Sequence, residues 1–192
     1  VGKSNVAKIL RLVISLTVIC VIAGGGLALT YAMTEKQITQ QAAIEETKSN
    51  KEAFPVAKES GNFTARDDLT QKVHNEDKDI QKVYEVKVDG KRVGWVVQVA
   101  PRGYGGPILF DVGIDPKGEI VGISVISIKE TPGLGENVMG PEFTEQFIGK
   151  MVNDNLKVGE DIDGLTGATI SSDAMALGVK KALKAAEMLG GN

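Results

Sequence analysis

The feature that most constrains this chain is an uncharged stretch near its N-terminus, "LVISLTVICVIAGGGLALTYAM", from Leu12 to Met33. As an α-helix those residues span about 33 Å, the thickness of a bilayer's hydrocarbon core. The stretch therefore predicts one transmembrane helix over residues 12–33. Lys3, Lys8 and Arg11 precede it without an acidic residue, whereas Glu35, Lys36, Glu45, Glu46 and Lys48 follow. This basic excess favours a cytoplasmic N-terminus, residues 1–11, with everything after the span extracytoplasmic. A cleaved signal peptide is the competing reading, because Thr30-Tyr31-Ala32 resembles a small-x-small cleavage site. The apolar run exceeds the ~7–15 residues of a signal-peptide core, which favours a retained anchor. A lipid anchor at Cys20 is disfavoured by the bulky Ile19 before it.

Composition removes several function classes. Cys20 is the only cysteine and His74 the only histidine. Disulfides, cysteine-based zinc sites, cysteine-ligated iron–sulfur clusters and histidine-rich metal centres within this chain are thereby excluded, and no metal site is expected. Taking the three basic residues before the span from the total of 22 leaves 19, against 25 acidic ones, a net charge of −6. That balance does not suggest nucleic acid.

After the span, "TEKQITQQAAIEETKSNKEA" (Thr34 to Ala53) holds good helix formers with neither Gly nor Pro, and Pro55 ends it. A helical stalk over residues 34–57 is expected. Residues 58–79 are charged and patternless, read as loop with a short helix. Strand signals then bunch together. "KVYEVKV" (Lys82 to Val88) alternates, Asp89-Gly90 is a tight-turn pair, and "RVGWVVQVA" (Arg92 to Ala100) resumes the alternation. "PILFDVGID" and "EIVGISVISI" follow, separated by Pro116-Lys117-Gly118. Short connections imply antiparallel neighbours, hence a meander of about four strands. "PEFTEQFIGKM" (Pro141 to Met151) reads as a helix with Phe143, Phe147 and Ile148 on one face. A last helix over Ser172 to Leu189 would bury Ala176, Val179, Leu183 and Ala186. The expected class is α+β, an antiparallel β-meander covered by helices, occupying residues 58–192.

Three stretches have the composition of a site. "RGYGGPI" (Arg102 to Ile108) is either a wide hairpin loop or a place where Gly105 and Gly106 let backbone approach a flat ligand. "KETPGLGENV" (Lys129 to Val138) puts Glu130 at a strand end beside a Pro132-Gly133 turn signal. It is either a strand-to-helix connection, the reading the residues alone favour, or a place where a carboxylate positions a polar ligand edge. "DGLTGATISSDAM" (Asp163 to Met175) opens the last helix with small residues: Gly167 permits a bend, Ala168 leaves room, and Thr169 presents a hydroxyl. Ser171 or Ser172 is expected to cap that helix, with Asp173 in its first turn. A helix N-terminus suits phosphate, but an over-specified cap explains the same residues. Neither a Walker loop nor a Rossmann fingerprint is present, and no threonine has an obvious histidine partner for nucleophilic catalysis.

Two of these stretches also carry a resemblance. "DGLTGAT" (Asp163 to Thr169) resembles the Asp-Gly-x-Ser/Thr-Gly-Ala-Thr motif of membrane-anchored flavoproteins with covalent FMN, and "ETPGLG" (Glu130 to Gly135) resembles their second signature. With the N-terminal anchor and the length, the chain resembles the G subunits of Rnf electron transport complexes. The C subunits of sodium-pumping NADH:quinone reductases share both signatures and are usually longer. The resemblance implies that a flavin transferase joins FMN through its phosphate to the Thr169 hydroxyl. Asp163, Gly164, Thr166, Gly167 and Ala168 would then surround the phosphate end. Glu130, Thr131, Pro132, Gly133, Leu134 and Gly135 would border the ring, with Gly105 and Gly106 as further candidates. It also implies partners: the membrane and redox subunits of a complex moving electrons between ferredoxin and NAD, coupled to ion movement. Without the resemblance, a non-redox, membrane-tethered module for an anionic ligand and a purely structural assembly scaffold stay open.

Overall fold

The computed structural model describes residues 3–130 and 135–190. The chain divides into two compact units, Val1–Ile44 and Glu45–Asn192. Helix α1 runs from Lys3 to Ala53. Within it, Lys8–Glu35 is long and apolar enough to cross a membrane, and it is the one such helix among the described residues. The hydroxyls of Thr17, Thr30 and Thr34 each donate to the carbonyl four residues earlier at 2.9 Å, which satisfies them within the helix.

The second unit is built on one sheet whose spatial order repeats its chain order, β1-β2-β3-β4-β5, with every pair antiparallel. The strands are β1 Asn62–Ala65, β2 Ile80–Val88, β3 Lys91–Val99, β4 Leu109–Ile114 and β5 Ile120–Ser127. The four expected strands are all present. Asp89 and Gly90 both have positive φ, 51° and 76°, as a two-residue hairpin turn between right-twisted strands requires. The fifth strand, β1, escaped the alternation rule because it is a four-residue edge with only Phe63 part-buried.

Helix α2, Asp67–Glu76, is the short helix expected in residues 58–79. Helix α3 is a correction, since it comprises only Pro141–Thr144 and passes into a 3-10 turn, Glu145–Phe147. The expected helix stops there because the chain is drawn to the sheet: Gly149 N–H donates to Ile120 O and Ile120 N–H to Lys150 O. Phe143 and Phe147 are buried edge-to-face at 5.5 Å, while Ile148, expected beside them, is 44% exposed. Helix α4 spans Thr169–Met188 and buries Ala176, Val179, Leu183 and Ala186 as expected.

The two sheet faces differ. Toward α4 the rungs are apolar: Val83, Val97, Val112 and Ile123 pair in register across β2 to β5. They pack with Val73 of α2 and with Met175, Val179 and Leu183 of α4 in one continuous core. The opposite face receives the last turns of α1. Residues 45–57, expected within the stalk, belong to the compact unit because Ser49, Asn50, Ala53, Phe54 and Ala57 are buried. Gly113 and Gly122, paired across β4 and β5, provide the floor for the Ala53 carbonyl, and a Cβ on either would collide with it.

Candidate functional site

A cavity lies where the loop after β5 meets the N-terminus of α4. Its volume is about 490 Å³, within the ~300–1,000 Å³ usual for small-molecule sites. Gly167, Ala168, Thr169, Ile170 and Ser171 form one wall, and Tyr104, Glu130 and Gly135 the other.

The α4 wall begins with a turn. Ala168 N–H donates to Leu165 O at 3.0 Å, and Gly167 at φ 80° supplies the positive dihedral of the turn's third position. Ala168 is the N-cap, with φ −128°, and has no side chain able to cap. The expected capping by Ser171 or Ser172 is therefore corrected. The helix starts at Thr169, both serines lie inside it and are buried, and Ser172 Oγ instead accepts from Leu165 N–H at 3.3 Å. Asp173 consequently falls beyond the first turn, which contains no acidic residue. The result is a 20-residue helix whose N-terminus lacks a side-chain cap and whose first residues line the cavity. Its free N–H groups and dipole make that wall positive.

The opposite wall centres on Glu130, which is 9% exposed. Its Oε2 accepts from Gly105 N–H at 3.0 Å, whereas its Oε1 has no partner among the described residues. Glycine is needed around it for room. A Cβ on Gly103 would strike the Glu130 carboxylate, one on Gly105 the Lys129 carbonyl, and one on Gly135 would lie 2.7 Å from Glu130 Cβ. The glycines of residues 102–106 thus let their loop press against Lys129 and Glu130, and Tyr104 is the loop residue that reaches the cavity. Sequence reasoning passed over Tyr104. An aromatic standing alone among glycines, 72% exposed in the fold, was the available signal.

The expected site residues thus separate. Gly167, Ala168, Thr169, Glu130 and Gly135 meet at one cavity. Gly105 and Gly106 stand behind it, packed on Lys129. Asp163 is held through its backbone by Gln146, whose Oε1 accepts from Asp163 N–H at 2.7 Å. Gly164 packs on Val158, and Thr166 is exposed. Thr131, Pro132, Gly133 and Leu134 lie outside the described residues. No group of three or more His, Cys, Asp and Glu that could hold a metal ion occurs among the described residues.

A buried carboxylate bracing one wall and a positive helix end forming the other fit a ligand with an anionic tail. The fold and this cavity define a small-ligand-binding α+β domain, and residues 103–184 match the FMN-binding domain family. The G subunit of the Na(+)-translocating ferredoxin:NAD(+) oxidoreductase complex of Acetobacterium woodii is 31% identical over 190 residues, covering 92% of this chain and 90% of that protein. The G subunit of the ion-translocating oxidoreductase complex of Methanosarcina acetivorans is 32% identical over 176 residues, 90% of this chain and 91% of that one. The crystal structure of Shewanella oneidensis NqrC is 28% identical, with a TM-score of 0.43 over 54% of this chain and 53% of that chain. The chain belongs to the family of G subunits of ion-translocating (Rnf) oxidoreductase complexes.

Proposed function

We propose that this chain is a membrane-anchored electron-carrier subunit of an ion-translocating ferredoxin:NAD oxidoreductase complex, holding FMN through a phosphoester to Thr169. The observation that carries this reading is the position of Thr169: exposed, first in α4, and on the cavity wall at an uncapped helix N-terminus. The N–H groups of that first turn would neutralise the phosphate. Gly167 and Ala168 would leave it room, and the turn held by Asp163, Gly164 and Thr166 would fix the approach. Glu130 would hold the loop that carries Tyr104 through the Gly105 N–H, and Tyr104 would cover the ring from solvent. When bound, FMN accepts two electrons and passes them on singly, the task of a relay between unlike partners.

In maturation, a flavin transferase would join the Thr169 oxygen to the FMN phosphorus of FAD and release AMP. A cofactor bonded in this way cannot be lost from an extracytoplasmic domain. In this reading residues 1–11 are cytoplasmic, 12–33 span the membrane, and the flavin domain lies outside with its partners in the complex. The near full-length match to G subunits favours this complex over the quinone reductase.

The test is in-gel flavin fluorescence after SDS denaturation of protein co-expressed with the transferase, with mass spectrometry of the peptide from Asp163 to Lys180. The native chain is expected to fluoresce and to carry FMN on that peptide. Thr169→Val is expected to fold and to be dark. A dark native chain, or a fluorescent variant, overturns the assignment.

A further inference from the structure

The face of the sheet beneath α1 carries an unusual row. Lys82 pairs with Gln98, Gln98 with Asp111, and Asp111 with Ser124, so four consecutive strands each contribute one polar residue to a single rung. The next rung on that face, Tyr84-Val96-Gly113-Gly122, is mostly small or apolar. The foot of α1 meets three of these four residues, Lys82, Asp111 and Ser124. Glu46 bonds Lys82 and Tyr84, and Ser49 lies against Asp111 with its hydroxyl 3.5 Å from Ser124 O. Glu52 accepts from Ser124 Oγ at 3.0 Å.

Asp111 is incompletely paired. It is fully buried, and Gln98 Nε2 donates to its Oδ1 at 3.2 Å. Its Oδ2 has no partner among the described residues, and neither does the Oδ1 of Asn50, the helix residue beside Ser49. A buried carboxylate oxygen without a donor is costly, and a proton on the carboxyl removes the charge that makes it so. We propose that the rung Lys82-Gln98-Asp111-Ser124 is a proton-binding latch for the foot of α1. Protonated Asp111 holds residues 46–53 on the sheet, and loss of that proton loosens them.

The surroundings agree on the direction. Burial pushes the Asp111 carboxyl up to about 6 from its ordinary 3.8, Ser49 and Gln98 pull it down, the nearby Glu46 raises it and Lys82 lowers it. Burial, then Glu46, pushes the Tyr84 phenol well above its ordinary range, so Tyr84 stays neutral. Burial raises Glu46, but its bonds to Lys82 and Tyr84 outweigh that and keep it ionised. On the β5 side the charged groups are Glu52 and its ion-pair partner Lys48, at 3.7 Å. The folded foot thus binds the Asp111 proton more tightly than the opened one does. The stabilisation is complete below pH about 4 and is lost as pH rises through about 6.

Hydrogen exchange of the full chain in detergent, corrected for intrinsic rates, reads the latch directly through peptides covering residues 45–57. Their protection should fall about tenfold between pH 5 and pH 8, while peptides from β3 and β4 stay level. Asp111→Asn, which keeps shape and bonding capacity, should make the foot's protection independent of pH. Glu46→Gln removes a facing negative charge and should move the midpoint to lower pH. A flat profile in the native chain, an unchanged slope in Asp111→Asn, or an unmoved midpoint in Glu46→Gln would overturn the proposal.

Discussion

The two faces of the sheet hold their helices by different means, most of α4 on one and only the last turns of α1 on the other. On the α4 face, side chains such as Phe110, Met175 and Leu183 interlock, and the removal of apolar surface from water supplies the attachment. On the α1 face the apolar contribution is confined to a small group around Ala53, Phe54, Tyr84 and Val96. There the helix end comes close enough for the Ala53 carbonyl to rest on glycine backbone, and a row of polar partners fixes its position. One face gains from contact area and tolerates some repacking. The other gains from fit and from hydrogen bonds, which have narrow geometric tolerance and respond to pH.

The contrast can be broken most severely on the apolar side. Phe110→Ala should lower the domain's stability by about 3–5 kcal/mol in chemical denaturation, because a fully buried ring leaves a cavity. Gly113→Val probes the other side. Its added side chain meets the Ala53 carbonyl, for an expected loss of about 1–3 kcal/mol. Hydrogen exchange should rise in residues 45–57 well before it rises in α4, which separates the two attachments. Lys48→Ala should have the smallest effect, below about 1 kcal/mol in the same denaturation assay, since its ion pair with Glu52 is largely exposed.

Alternation and turn residues made β2 to β5 legible in the sequence, and the spacing of Ala176, Val179 and Leu183 made the buried side of α4 legible. The polar rung was not. Gln98, Asp111 and Ser124 read only as polar interruptions of apolar strands, and aligning them requires the pairing register, shifted by an irregularity between Ile80 and Lys82. The site divides similarly. The small residues before α4 announced a crowded helix entrance, and Glu130 announced a carboxylate at a strand end. Where α4 starts was misjudged because two serines are good caps locally. The fold places the helix three residues earlier and spends Ser172 on the Leu165 amide. Tyr104 was missed because its role depends on a loop folding against Lys129.

The strand order, β1-β2-β3-β4-β5, has a consequence for biogenesis. Each strand pairs with the one before it in the chain, so the sheet can zip up stepwise as the chain emerges from its N-terminal side. The cavity cannot form on that schedule, because one of its walls belongs to α4, the last element in the chain order. Ligand capture is therefore timed by synthesis: the site comes into being only after everything that supports it is already in place.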